Sequence, residues 1–331
     1  MSADRPRGAV FLTRALPPEP MAALRESVDL HVNPHDRTPT RAELLAGVHG
    51  CDALLSLVTD RIDAEVMDAA PTLRVISNYA VGYDNVDVAA ASARGIPVTN
   101  TPDVLTHSTA DMAFALLLAV ARRVVEGHDL VRSRAWRGWE PLQLLGSDVS
   151  GATLGLVGLG RIGRAMIPRA RGFGMDVVYW NRTRLAAEEE ARLGATYAPL
   201  DEVLARARFA SIHVASTPET HHLIGAEALE RLGPGGYLIN TARGPIVDEH
   251  ALVEALERGT IAGAGLDVYE REPELQEGLH DRPNVVLAPH LGSATHETRA
   301  AMGMLAAQNL LAALRGERPR HVVNPEVLGG P

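Results

Sequence analysis

One stretch, LGLVGLGRIGRAM (Leu154–Met166), constrains the fold more than any other. An apolar run suited to a buried strand leads into Gly158, Gly160 and Gly163, and a helical pattern follows. The spacing is G-x-G-x-x-G, and each glycine has its own reason: a tight turn, close approach of backbone to a pyrophosphate, and close packing of helix on strand. The N-terminus of the new helix offers amide donors and a favourable dipole to phosphates. A plain turn is the competing reading of the bare pattern, and the strand–turn–helix context favours a dinucleotide site. Arg161 and Ile162 would lie over the pyrophosphate.

The next strand ends at YWNRTR, Tyr179–Arg184. A dinucleotide fold that takes NAD commonly has an acidic residue there for the ribose hydroxyls, whereas an arginine accommodates a 2′-phosphate. This chain offers Asn181, Arg182, Thr183 and Arg184. Two guanidinium groups and a hydroxyl suit a phosphate dianion. The expectation is therefore NADP(H) in preference to NAD(H). NAD(H) remains the alternative if both arginines face solvent.

The rest of the chain repeats the same alternation. GAVFLT, ALLSLV, LRVISNYA and IPVTN read as strands in the first hundred residues, with EPMAALRES, TRAELLAGV, DAEVMDAA and DVAAASARG as helices between them. The strands are apolar throughout rather than alternating, which predicts parallel sheets covered on both faces. One long helix is expected from about Thr109 to Arg134. A second α/β series then begins, with strands at TLGLVG, DVVYW, ASIHVA, GYLINTA, AGAGLDV and NVVLAP. The amphipathic tail ETRAAMGMLAAQNLLAALRG is expected to return to the first domain. Pro168 falls inside the helix that follows the glycine turn and should kink or shorten it.

With 331 residues, 46% of them hydrophobic, the chain can build two cores. A net charge of −9 argues against nucleic acid or an anionic membrane as partner. All 32 basic residues are arginine, which excludes Schiff-base and P-loop lysine chemistry. The single cysteine, Cys51, sits in an apolar run and is expected to be inert. His31 and His35 lack a third ligand at a sensible spacing, and His221 and His222 read as surface or packing residues, so no catalytic metal is expected. The N-terminus has no signal-peptide core and MAFALLLAVA is too short to span a bilayer, so the expected compartment is the cytoplasm.

Three later strands end in chemistry-bearing segments: INTARGPIVDE with Arg243, LDVYEREP with Asp267 and Glu272, and LAPHLGSATHE with His290. Ligands of doubly wound sheets bind beyond the carboxyl ends of strands, so these residues can meet despite their separation. An arginine can hold a carboxylate and polarise a carbonyl. A histidine can give a proton to a nascent alkoxide, and a glutamate beside it would orient the ring. Taken singly, His290 could be a structural loop residue and Glu272 a solvated member of an acidic run. As a set, they are chemically coherent.

These motifs, with NYAVGYDNVD and GLGRIG, resemble the D-isomer-specific 2-hydroxyacid dehydrogenase family over essentially the whole chain. VTNTPDVLTHSTADMAFALLLAVARR and WRGWEPLQLLG are similar to its glyoxylate/hydroxypyruvate reductase branch. The resemblance implies two doubly wound parallel-sheet α/β domains with a hinged cleft between them. A Rossmann cofactor domain would span 102–291, and a discontinuous, flavodoxin-like substrate domain 1–101 and 292–331. It implies Arg243 as substrate clamp, His290 as acid/base and Glu272 as its partner. Asp267 would bond the nicotinamide amide. Val214, Ala215, Thr241, Ala242, Arg243, His290 and Gly292 would line the cofactor. Val81 and Gly82 match the loop whose amides hold the substrate carboxylate, and consecutive amides form an anion nest. Leu57 matches a pocket wall. Trp139 matches a tryptophan that reaches a neighbouring subunit's pocket, which implies a homodimer and a small substrate. His107, Ala215 and Ser216 depart from the branch's usual residues. The alternatives are an NADH-dependent dehydrogenase of a bulkier D-2-hydroxy acid, or a catalytically dead dinucleotide-sensing regulator.

Overall fold

The computed structural model describes residues 8–329. The chain divides into two compact units, Met1–Leu105 with Ala294–Pro331, and Thr106–Ser293. Boundaries were expected after 101 and 291; the compact units divide after Leu105 and after Ser293.

The first unit is built on five parallel strands: β1 (Ala9–Leu12), β2 (Asp29–Val32), β3 (Ala53–Leu57), β4 (Val75–Tyr79) and β5 (Val98–Thr99). Their order is β2-β1-β3-β4-β5, the flavodoxin-like arrangement. All five residues of β4 are buried, as expected of a central strand covered on both faces. Leu57 pairs with Tyr79, so the loops leaving β3 and β4 emerge side by side. The tail helix His296–Leu314 belongs to this unit, and the Ala306 carbonyl accepts a hydrogen bond from Ser77 Oγ of β4 at 3.0 Å. Helix starts follow local chemistry. Thr40 and Glu43 form a capping box, and Asp63, Asp87 and Thr295 each accept a backbone N–H at a helix N-cap. Strand β2 has no counterpart in the sequence reading. It lies at the sheet edge and is partly exposed along its length, which leaves little apolar signal.

The second unit has seven parallel strands: β6 (Thr153–Val157), β7 (Asp176–Trp180), β8 (Thr196–Tyr197), β9 (Phe209–Ile212), β10 (Tyr237–Asn240), β11 (Gly263–Leu266) and β12 (Val285–Leu287). The order β12-β11-β10-β9-β6-β7-β8 reverses direction between β6 and β9, the switch point where doubly wound sheets bind ligands. Two apolar clusters cover the two faces of this sheet, one including Phe114, Leu117, Met166 and Phe209, the other Ile212, Leu238, Leu252 and Leu266.

Two expectations are corrected here. The long helix is two helices, Thr106–Ala121 and Val124–Arg132, broken where Arg123 adopts φ +52°. No glycine or proline marks that break. Pro168 does not shorten its helix, which runs from Arg161 to Gly172 with Pro168 on the exposed side. Among the described residues, no helix is long and apolar enough to cross a membrane.

Candidate active site

The glycine turn at the end of β6 is shaped by contacts that a side chain would break. Gly158 has φ +102°, and a Cβ there would lie 2.7 Å from the His213 carbonyl. A Cβ on Gly163 would lie 2.3 Å from the Gly158 oxygen, so this glycine lets the helix Arg161–Gly172 approach the turn. Gly160 differs: a Cβ there would meet nothing within 4 Å. Its side of the turn is open. Arg161 is exposed and Ile162 half-buried.

Asn181 has a definite task at the end of β7. Its Oδ1 accepts the Leu159 N–H at 2.6 Å and ties the glycine turn to the neighbouring strand. Beyond it, Arg182 and Thr183 are exposed. Arg184 makes a bidentate pair with Glu190, both contacts at 2.8 Å. Glu190 also accepts the hydroxyl of the buried Tyr179 at 2.6 Å. Hydrogen bonds from Arg184 and Tyr179 hold the Glu190 carboxyl at about 2. The sequence reading offered both Arg182 and Arg184 to a phosphate; in the structure Arg184 is committed to Glu190.

After β9, Val214 packs on the second apolar cluster, and the Ala215 carbonyl accepts the Thr220 hydroxyl at 2.7 Å. His213 Nε2 lies 2.9 Å from Ser211 Oγ, and burial pushes the imidazole down to about 4. After β10, Asn240 folds the loop onto itself. Its Nδ2 donates to the Arg243 carbonyl at 2.9 Å and its Oδ1 accepts the Ala242 N–H at 3.0 Å. Arg243 is half-buried and donates to the Ala242 carbonyl at 2.7 Å. Thr241 is buried, and its hydroxyl has no hydrogen-bond partner.

The ends of β11 and β12 bring the remaining residues together. Asp267 is 1% exposed, and its two oxygens accept the N–H groups of Leu291 at 2.6 Å and Gly292 at 2.7 Å. Burial pushes this carboxyl up, against those two hydrogen bonds. The His290 N–H reaches the Asp267 carbonyl at 3.0 Å. His290 itself sits at φ +56°, a strained conformation for a residue with a Cβ, and the Asp267 contacts hold it there. The Asp267 carboxylate, expected at the nicotinamide, also builds the loop that carries His290.

Glu272 Oε2 lies 2.9 Å from His290 Nδ1, and Oε1 accepts the Tyr269 N–H at 3.1 Å. Burial alone would raise the Glu272 carboxyl. The hydrogen bond and charge of His290, the Tyr269 N–H and the charge of Arg243 outweigh it and lower the carboxyl below its ordinary value. An ionised carboxylate only accepts, so Nδ1 is the protonated nitrogen of the pair. Arg243 and His290, from two other strand ends, thus both act on Glu272 within this unit.

In the first unit, Leu57 ends β3 and Val81 and Gly82 lie on the loop after β4, all three half-buried. Trp139 is 83% exposed. His107 is exposed, and its carbonyl accepts Arg169 at 3.1 Å. His222 pairs with Glu270 at 2.7 Å, a contact the sequence reading missed. His221, His222 and Glu270 have ligand atoms close together, but the two rings stack at 4.0 Å. An ion binds an imidazole nitrogen in the ring plane, and stacked rings do not share one.

Asn78, Asn240 and Glu190 also escaped the sequence reading. Asn78 and Asn240 sit within apolar strands, where a buried polar side chain is the informative exception.

Residues 114–292 match the family described as D-isomer specific 2-hydroxyacid dehydrogenase, NAD binding domain. The chain is 50% identical over 323 residues to a glyoxylate reductase of Thermococcus litoralis, covering 96% of this chain and 97% of that protein. Among solved structures, the TT0316 protein of Thermus thermophilus superposes with TM-score 0.89 at 49% identity, over 95% of this chain and 99% of that one. An NADPH-dependent glyoxylate/hydroxypyruvate reductase from Sinorhizobium meliloti, solved with NADP and malonate, gives TM-score 0.85 at 38% identity, over 96% and 97% of the two chains.

Proposed function

The chain belongs to the D-isomer-specific 2-hydroxyacid dehydrogenase family, and we propose that it is an NADPH-preferring reductase of small 2-oxo acids. The proposed substrates are glyoxylate, giving glycolate, and hydroxypyruvate, giving D-glycerate, in line with relatives named glyoxylate reductase and glyoxylate/hydroxypyruvate reductase. The observation that carries this reading is the 2.9 Å contact between His290 Nδ1 and Glu272 Oε2. It leaves Nε2 as the nitrogen that faces the substrate.

The second unit fits a nicotinamide dinucleotide. Open space lies beside Gly160, a 12-residue helix begins there, and the buried Thr241 hydroxyl awaits a partner. A reduced nicotinamide bound there would supply hydride chemistry. The chain's own residues do the rest. His290 gives a proton from Nε2 to the carbonyl oxygen, and Glu272 holds the ring in orientation through Nδ1. Arg243 holds the substrate carboxylate and polarises its carbonyl. In the first unit, the amides of Val81 and Gly82 receive the carboxylate, with Leu57 as a pocket wall.

The cofactor preference rests on the missing strand-end carboxylate. Asn181 stands in its place, and Arg182 with Thr183 meets the 2′-phosphate. Arg184 supports that loop through Glu190.

A homodimer is part of the same reading. The helix Val124–Arg132 buries none of its residues, and Val131, Trp139, Leu142 and Leu145 are 56, 83, 79 and 62% exposed. An exposed apolar surface of this kind marks an interaction site.

Initial rates with NADPH and NADH at matched concentrations, on glyoxylate and hydroxypyruvate, test the function. A clear NADPH advantage on either substrate is expected. Equal or better rates with NADH would overturn the cofactor preference. No turnover of either substrate would overturn the substrate assignment and favour a bulkier 2-oxo acid.

A further inference from the structure

The loop Ala80–Tyr83 carries three successive peptide planes whose carbonyls are all tied. The Ala80 carbonyl accepts the Thr101 N–H at 2.8 Å. The Val81 carbonyl accepts Asn100 Nδ2 at 2.8 Å, and the Gly82 carbonyl accepts Asn78 Nδ2 at 2.9 Å. A trans peptide points its N–H opposite to its C=O. Tying these carbonyls therefore sets the direction of the Val81, Gly82 and Tyr83 N–H groups.

Asn78 cannot turn to any other arrangement without loss. It is fully buried. Its Oδ1 accepts Ser56 Oγ at 3.1 Å and Asn85 Nδ2 at 3.1 Å, while its Nδ2 donates to Gly82 and, at 3.0 Å, to Asn85 Oδ1. Two donors and two acceptors are all that a side-chain amide has. A flipped amide would set donor against donor. Asn85 extends the network to the Leu57 and Asp60 carbonyls, both at 3.0 Å, and Asp60 Oδ2 accepts the Leu57 N–H at 2.7 Å. One buried polar network thus fixes both loops at the carboxyl edge of β3 and β4. Asp60 Oδ1 has no hydrogen-bond partner, but the Asn78 amide is fully paired, and pairing of that kind rigidifies what it holds.

We infer that Asn78 and Asn100 are positioning residues for the substrate carboxylate: Asn100 holds the Val81 carbonyl and so aims the Gly82 N–H, while Asn78 holds the Gly82 carbonyl, fixes the Tyr83 N–H and so locks the far side of Gly82. This inference rests on the reading of Val81 and Gly82 given above. The asparagines touch neither substrate nor cofactor; they act through the backbone. Preorganised amides bind an anion without paying for loop ordering at each turnover.

The test uses the full-length protein saturated with NADPH. In Asn78→Ala and Asn100→Asp, the KM for glyoxylate should rise about tenfold or more, the loss expected for one weakened hydrogen bond to a charged group. The kcat and the KM for NADPH should stay within about twofold of the parent values, a split that a general loss of structure would not give. Asn78 is fully buried, so if its variant fails to fold, the half-buried Asn100 carries the measurement. A parallel titration of oxalate into ¹⁵N-glycine-labelled protein follows the Gly82 amide directly. Oxalate should move that resonance in the parent and move it less in the variants.

If the parent reduces glyoxylate and the variants keep its KM, the positioning role is overturned and the function stands. If the parent reduces no 2-oxo acid, yet oxalate moves the Gly82 amide in the parent and not in the variants, the function falls and the positioning role stands.

Discussion

His290 Nδ1 and Glu272 Oε2 lie 2.9 Å apart, and the other oxygen of the same carboxylate is held by the Tyr269 N–H. The Glu272 side chain therefore has one fixed orientation, and the imidazole shares it. Glu272→Gln keeps the size and the Tyr269 acceptor but removes the charge. Its kcat on glyoxylate should fall about tenfold to a hundredfold, at or below what a general acid itself contributes, while the melting temperature moves little. The Glu272 carboxyl is lowered by its partners. Its contribution is thus complete above the ordinary carboxylate pKa of about 4.3 and is lost as pH falls through the lowered value. Any acid limb of kcat/KM that belongs to Glu272 should lie below about pH 4.3 and vanish in the glutamine variant. Rate profiles of the two proteins check both points.

Arg182 and Arg184 should separate in their effects on cofactor choice. Arg182→Ala is expected to cut the NADPH-over-NADH ratio of kcat/KM about tenfold or more, as loss of a charged hydrogen bond predicts. Arg184→Ala should change that ratio less and lower the melting temperature, because it strips the cation from Glu190 beside the buried Tyr179. Steady-state kinetics with both cofactors and a thermal melt of each variant make the comparison. An equal loss of ratio in both variants would return Arg184 to the phosphate.

Gly158 and Gly160 should likewise differ. Gly158→Ala meets the His213 carbonyl at 2.7 Å in a left-handed conformation and should cost about 2–4 kcal/mol of stability. Gly160→Ala meets no protein atom and should fold normally, yet raise the KM for NADPH about tenfold or more, since its methyl group occupies the space left for pyrophosphate. Denaturant melts and cofactor titrations distinguish the two outcomes.

The exposed apolar arm predicts the oligomeric state. The parent protein should sediment as a dimer at micromolar concentration. Leu142→Arg together with Trp139→Glu places charge on side chains that are 79 and 83% exposed and should yield a folded monomer. Analytical ultracentrifugation reads the change. A parent that sediments as a monomer would remove the dimer from the account.

Much of this architecture was legible from the sequence, for physical reasons that differ between segments. The glycine turn was legible because steric demands on backbone leave few other residues at Gly158 and Gly163. The strands β3, β4, β6 and β10 announced themselves as apolar runs because both faces of their sheets are covered. The proximity of Glu272 to His290 followed from their strand-end positions in a doubly wound sheet. What stayed hidden depended on side chains finding partners far along the chain. Glu190 as the partner of Arg184, and the Leu291 and Gly292 amides as partners of Asp267, could not be read from the sequence. The break at Arg123 has no proline or glycine to signal it. Asn78 lies in an apolar strand and Asn85 in the loop beyond it, and only their reciprocal pairing reveals a common purpose.

The most direct test of the account is the initial rate of NADPH oxidation by glyoxylate in the parent protein and in His290→Ala, with the NADPH dissociation constant measured on both. The account predicts that the parent turns over, that the variant loses at least about a hundredfold in kcat, and that both bind NADPH with similar affinity. A variant that reduces glyoxylate near the parent rate would show that the proton comes from elsewhere and that the His290–Glu272 pair is structural.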